Sequence, residues 1–124
     1  MILVVDDNDE VRAAIGRALG ELGYPVHEAA DGASALATLV TETPDLVILD
    51  YRLTGVDGAD IARLIAEREP GLPVISSTGH AALRALRNAA GDEGSVLERP
   101  AILDELDTLL GTHLAEGRRR RQAA

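Results

Sequence analysis

Apolar residues along this chain follow two alternating rhythms. Short continuous runs, "ILVV" (2–5) and "LVIL" (46–49), are rich in β-branched residues and have no polar alternation, the signature of strands covered on both faces. "PVHEA" (25–29), "LPVISSTG" (72–79) and "SVLE" (95–98) read as three further strands. Between the runs, apolar residues recur at helical spacing. Val11, Ile15, Leu19 and Leu22 define a helix with Asp9 as its N-cap and Gly23 as its stop. A second helix spans about 32–42, with Leu36, Leu39 and Val40 facing inward and Pro44 closing it. A third carries Ile61, Leu64 and Ile65, "HAALRALRNAAG" is a short fourth, and Ile102, Leu106, Leu109, Leu110 and Leu114 make a fifth.

Five strands alternating with five helices predict an α/β fold with a parallel sheet wrapped on both faces. Open sheets of this kind bind ligands outside the carboxyl ends of their strands. That rule gathers particular residues into one candidate site. Asp6 and Asp7 end the first strand and Asp50 the third, Thr78 ends the fourth, and Arg99 follows the fifth.

Composition narrows the class. The 124 residues suit one domain with a real core. There is no cysteine, so disulfides and thiolate metal sites are excluded. No signal-peptide pattern or membrane-spanning apolar run occurs, so a cytoplasmic protein with no membrane partner is expected. A net charge of −9 argues against nucleic-acid binding by the domain itself. The exception is the run Arg118–Arg121 after Gly117, read as part of a basic, disordered tail over 117–124 beyond a domain of residues 1–116. Lysine is absent, so every basic side chain other than histidine is arginine.

The acids suggest the chemistry. Asp6, Asp7 and Asp50, with no His or Cys ligand near, form a hard, oxygen-rich set that suits Mg²⁺, an ion that takes one or two carboxylates plus phosphate oxygens. A carboxylate beside such an ion can act as a nucleophile toward phosphorus, with Thr78 and Arg99 placed to hold phosphoryl oxygens. Asp9 and Glu10 fall instead in the first turn of the first helix, where negative charge is favoured.

"VVDDND", "LVILDYRLTGVDG", "PVISSTG" and "LERP", in this order and spacing, resemble the receiver domain of two-component response regulators over about residues 2–115. The resemblance implies a flavodoxin-like, doubly wound five-stranded sheet of order 2-1-3-4-5 with five helices. It implies that Asp50 is the phosphoacceptor, charged by a histidine kinase or a histidine phosphotransfer protein. Asp7 would ligate Mg²⁺ directly, Asp6 would orient coordinated water, and the backbone carbonyl of Arg52 would complete the protein's share of the metal site. Thr78 matches the switch hydroxyl, whose movement reshapes a face made by the fourth helix, fifth strand and fifth helix. That face would meet a downstream protein partner or a second copy in a homodimer. Such a domain is a phosphate-accepting module and no dedicated enzyme.

Several positions depart from the family pattern. Arg99-Pro100 stands where lysine-proline is usual, and arginine is a planar fork with a different reach. Val96 replaces a switch aromatic, since the two aromatics, Tyr24 and Tyr51, lie elsewhere. "GDEGS" (91–95) puts two glycines and two acids before the fifth strand, and Thr54 replaces a common proline while Gly55 and Gly58 keep the turn. His27 and His113 read as packing or surface residues. His80, two residues past Thr78, pairs with Arg52 as a candidate for tuning the life of the phosphorylated state. Met1 directly before the first strand favours a natural start. Besides the signalling receiver, two readings are carried: a degenerate receiver acting as a constitutive interaction module, motivated by Arg99 and Val96, and, last, a Mg²⁺-dependent phosphatase.

Overall fold

The computed structural model describes residues 1–53, 58–89 and 99–123. The continuous apolar runs become β1 (Ile2–Val5) and β3 (Leu46–Leu49), and every residue of both is buried. β2 (Val26–Ala29) and β4 (Val74–Ser76) flank them in a parallel sheet of order β2-β1-β3-β4. β4 is shorter than the 72–79 span expected, and the expected strand at 95–98 lies outside the described residues. The helices are α1 (Asp9–Glu21), α2 (Gly32–Thr41), α3 (Gly58–Arg68), α4 (Ala81–Asn88) and α5 (Arg99–Ala123). None is long and apolar enough to cross a membrane.

Side chains of a strand alternate between the two faces of a sheet, and this divides the core. Ile2 and Val4 of β1, Leu46 and Ile48 of β3 and Ile75 of β4 face α1, α4 and α5, packing on Ile15, Leu19, Leu83, Leu106 and Leu110. Leu3, Val5, Val47 and Leu49 point the other way, onto Ala35 and Leu39 of α2 and Ile61 and Ile65 of α3. α4 packs on α1 as well as on α5, which brings it over the α1 face of the sheet.

The helix boundaries differ from expectation in physically clear ways. Asn8, not Asp9, caps α1: its side-chain oxygen accepts from the Glu10 and Val11 N–H groups at 3.0 and 3.1 Å. Asp9 and Glu10 then occupy the first turn. In α2 the inward stripe runs through Gly32, Ala35, Thr38 and Leu39. Val40 lies one helical step past it and is 79% exposed. In α3, Ile61 and Ile65 are buried but Leu64 sits at the edge, 38% exposed.

α5 does not stop at Gly117; it continues through Ala123, so the basic run is the end of a helix and not a disordered tail. Gly117 is there for close approach, since a Cβ would fall 2.7 Å from Cδ of Pro73. Cations at a helix C-terminus favour its dipole, and Arg120 pairs with Glu116 at 3.5 Å. Arg121 donates to the Asp45 carbonyl at 3.2 Å, tying the helix end to the loop before β3.

The packing predicts a contrast measurable by urea denaturation. Ile48→Ala, at a site with no exposure, is expected to cost about 2–5 kcal/mol. Val40→Ala is expected to stay within about 0.5 kcal/mol of the parent.

Candidate functional site

β1 and β3 pair in register from Ile2↔Leu46 to Val5↔Leu49. The ladder runs one bond further, from the Asp50 N–H to the Val5 carbonyl at 2.9 Å. Asp6 and Asp50 are therefore neighbours on adjacent strand ends. β4 extends the edge: the Ser77 N–H donates to the Leu49 carbonyl at 3.0 Å. By strand alternation, Asp6, Asp50 and Ser77 continue the series Ile2/Val4, Leu46/Ile48 and Ile75, all facing α1, α4 and α5.

Both carboxylates are oriented by the same local device. Asp6 Oδ1 accepts from the Asn8 N–H at 2.9 Å, and Asp50 Oδ1 from the Arg52 N–H at 2.9 Å. Their residues are only 1% and 3% exposed. Asp7, exposed at the rim, brings a third carboxylate, and one ligand oxygen from each of Asp6, Asp7 and Asp50 lies within 4.8 Å of the others. The all-oxygen donor set fits a hard divalent cation such as Mg²⁺. The structure thus brings together the three acids expected from the sequence.

Two arginines answer the negative charge. Arg52 is 71% exposed and lies with Nε 3.8 Å from Asp50 Oδ1. Arg87, in the last turn of α4, is largely buried and donates through Nη2 to Asp6 Oδ2 at 2.5 Å and to Ser77 Oγ at 2.7 Å. The same nitrogen is 3.6 Å from Asp50 Oδ2. Burial pushes the Asp6 carboxyl above its usual range, and the Asp50 charge adds to this; the Asn8 N–H and Arg87 oppose it. Outside the pocket, Arg12 fixes the turn, donating to the Asp6 carbonyl at 2.8 Å and to Asp9 at 2.7 Å.

Neither Arg87 nor Ser77 was anticipated from the sequence. A signal for Arg87 exists in retrospect: it borders the inward stripe Ala82, Leu83, Leu86 of α4, where a cation needs an acidic partner. Thr78, in contrast, has its hydroxyl 3.0 Å from that of Ser76, in keeping with the alternation that sends Ser77 toward the acids. The Arg99 side chain, Val96, Thr54, Gly55 and the 91–95 loop lie outside the described residues. His80 packs edge-to-face on His113 of α5, with ring centroids 5.6 Å apart.

Residues 2–108 match the response regulator receiver domain. This chain is a member of that family. The receiver is 35% identical over 114 residues to the DNA-binding transcriptional regulator NtrC of Escherichia coli K12, covering 89% of this chain and 24% of NtrC. It therefore spans about a quarter of that relative's length. The receiver domain of NtrX from Brucella abortus superposes with a TM-score of 0.69 at 28% identity, over 93% of this chain and 98% of the other. The response regulator TrrA of Thermotoga maritima, solved in complex with Mg²⁺-BeF, gives 0.59 at 28% identity over 82% and 96%.

In this receiver the Gly58 N–H, at the start of α3, donates to the Tyr51 carbonyl at 3.2 Å. A Cβ there would meet the Tyr51 backbone at 2.3 Å. Backbone cannot swing aside as a side-chain tip can, so Gly58→Ala is expected to cost about 1–3 kcal/mol in denaturant unfolding.

A second expectation concerns pH. Burial, with the charges of His113 on α5 and Arg84 on α4, lowers the His80 pKa below its usual 6.5. A depressed histidine favours the folded state while neutral, so stability holds above pH 6.5 and falls as pH drops below it. In melts at a series of pH values, His80→Gln should flatten that acid-side decline relative to the parent.

Proposed function

We propose that this receiver is a phosphoacceptor of a two-component or phosphorelay system, phosphorylated on Asp50 and signalling through an altered protein interaction. The observation that carries the reading is the pair of buried carboxylates, Asp6 and Asp50. Each has one oxygen fixed by a main-chain N–H, and both share a 4.8 Å cluster with Asp7. The Mg²⁺-BeF complex of TrrA, a relative of the same family, lends support.

In this reading Asp6, Asp7 and Asp50, with the backbone carbonyl of Arg52, hold Mg²⁺. Bound there, the ion supplies positive charge for the incoming phosphoryl oxygens. A carboxylate oxygen of Asp50 attacks the phosphorus of a phosphohistidine on a histidine kinase or phosphotransfer protein. The N–P bond breaks and the imidazole leaves, taking up a proton. The Arg52 N–H holds Asp50 in line for attack, since it donates to Oδ1 and leaves Oδ2 directed into the pocket. Thr78 is the hydroxyl that turns from Ser76 toward the new phosphoryl group, and Arg99 is its cation. The output face involves α4 and α5, and meets a downstream protein or a second copy. A cytoplasmic location follows from this pathway.

A degenerate receiver, acting as a phosphorylation-independent interaction module, is the second reading. The observation that favours it is a guanidinium, that of Arg87, already seated among the acids.

Incubation with Mg²⁺ and acetyl phosphate, followed by intact mass measurement, separates the two. A single phosphate adduct is expected for the parent, with none for Asp50→Asn. Absence of an adduct with acetyl phosphate and with phosphoramidate overturns the phosphoacceptor reading in favour of the second.

A further inference from the structure

The carboxylate oxygens of Asp6 and Asp50, the two buried acids of the site, are already engaged. Main-chain N–H groups occupy Oδ1 of Asp6 and Oδ1 of Asp50. The remaining Oδ2 atoms both face Nη2 of Arg87, at 2.5 and 3.6 Å. Mg²⁺ needs oxygens at about 2.0–2.1 Å, so it cannot share that space with a guanidinium nitrogen. Ion and guanidinium also repel, and inside a buried pocket that repulsion is poorly screened. Arg87 is moreover incompletely satisfied where it stands: its buried Nε has no hydrogen-bond partner among the described residues. A cation held by strong charge contacts on one side and lacking a partner on the other is suited to leave when a better counter-charge arrives.

Arg87 also belongs to α4, which otherwise sits on the sheet through Ala82, Leu83 and Leu86. The only other charged contact that α4 makes near the strand ends among the described residues is Arg84 to the Thr78 carbonyl, an exposed hydrogen bond of 3.0 Å. Arg87 is therefore the buried polar tie between this helix and the acids.

We propose that Arg87 is an internal competitor of the divalent ion. Its guanidinium fills the space between Asp6 and Asp50 and ties the last turn of α4 over the pocket, so ion binding and release of that turn are one linked event. The proposal rests on the reading of the acids as a Mg²⁺ site. Linkage is reciprocal: whatever factor Arg87 takes from the affinity for the ion, the ion takes from the hold of Arg87 on Asp6.

The test is calorimetric titration of the full chain with MgCl₂, alone and without a phosphodonor. Arg87→Met, which keeps bulk and removes charge, is expected to bind Mg²⁺ about tenfold more tightly than the parent. Ser77→Ala keeps the charge but removes one of its anchors, and is expected to tighten binding by a smaller factor. It serves as the deciding variant if Arg87→Met does not fold. Amide hydrogen exchange gives the second readout: Mg²⁺ should speed exchange in residues 81–88 of the parent and leave Arg87→Met unchanged. Equal or weaker Mg²⁺ affinity in both variants, or α4 exchange that Mg²⁺ does not alter in the parent, overturns the competition while leaving the metal site intact. No heat of binding from parent or variants overturns the metal site itself, and the competition with it.

Discussion

Two carboxylates of like charge sit side by side at the ends of adjacent buried strands, and the rest of this receiver is arranged around that constraint. Parallel pairing of β1 with β3 in register leaves Asp6 and Asp50 no choice of neighbour. At Asp6, burial favours the neutral acid and the Asp50 charge adds to this. Donors and cations gather around the two side chains in response. Two main-chain N–H groups, the Arg87 guanidinium and the more distant Arg52 supply them. α4 is thereby drawn into the electrostatics of the sheet edge, since its cation is part of what makes the acids tolerable. A helix that would otherwise be held by three apolar side chains acquires a buried charge contact.

Much of this was legible in the sequence because it follows from local rules. Unbroken apolar runs gave β1 and β3, whose four residues apiece are all buried. Their final acids had to emerge together at the carboxyl edge of a parallel sheet. Gly23, with φ at 90°, ends α1 as the left-handed residue just past the C-cap, Leu22. The failures are equally physical. Asn8 outcompeted Asp9 as cap because the chain is still extended at residue 8, where a short side chain can reach back to the free N–H groups. Val40 went to solvent because Ala35 and Leu39, four apart, fix the stripe of α2, and the next residue turns away from it. Gly117 looks like a terminator on paper, but its missing side chain serves tertiary contact with Pro73.

Arg87 and Ser77 escaped notice for a different reason. Their role depends on which face of the sheet α4 covers, and no periodicity in an eight-residue helix encodes that. Strand parity does carry half of the answer. Once β4 ends at Ser76, residue 77 shares the face of Asp6 and Asp50, and residue 78 faces away. The two adjacent hydroxyls thereby acquire different partners, one in the electrostatic network of the acids and the other in a neutral pair with Ser76.

The orienting device at Asp6 and Asp50 is written in backbone. In each case the carboxylate accepts from the amide two residues on, a bond to which the side chain at that position contributes nothing. Over evolutionary drift, any residue but proline can stand at 8 or 52 without disturbing the aim of the acid before it. The interior of the pocket is thus insulated from substitution at its rim. Asn8 is free to serve as a helix cap, and Arg52 is free to change in length, charge or shape while Asp50 keeps its direction.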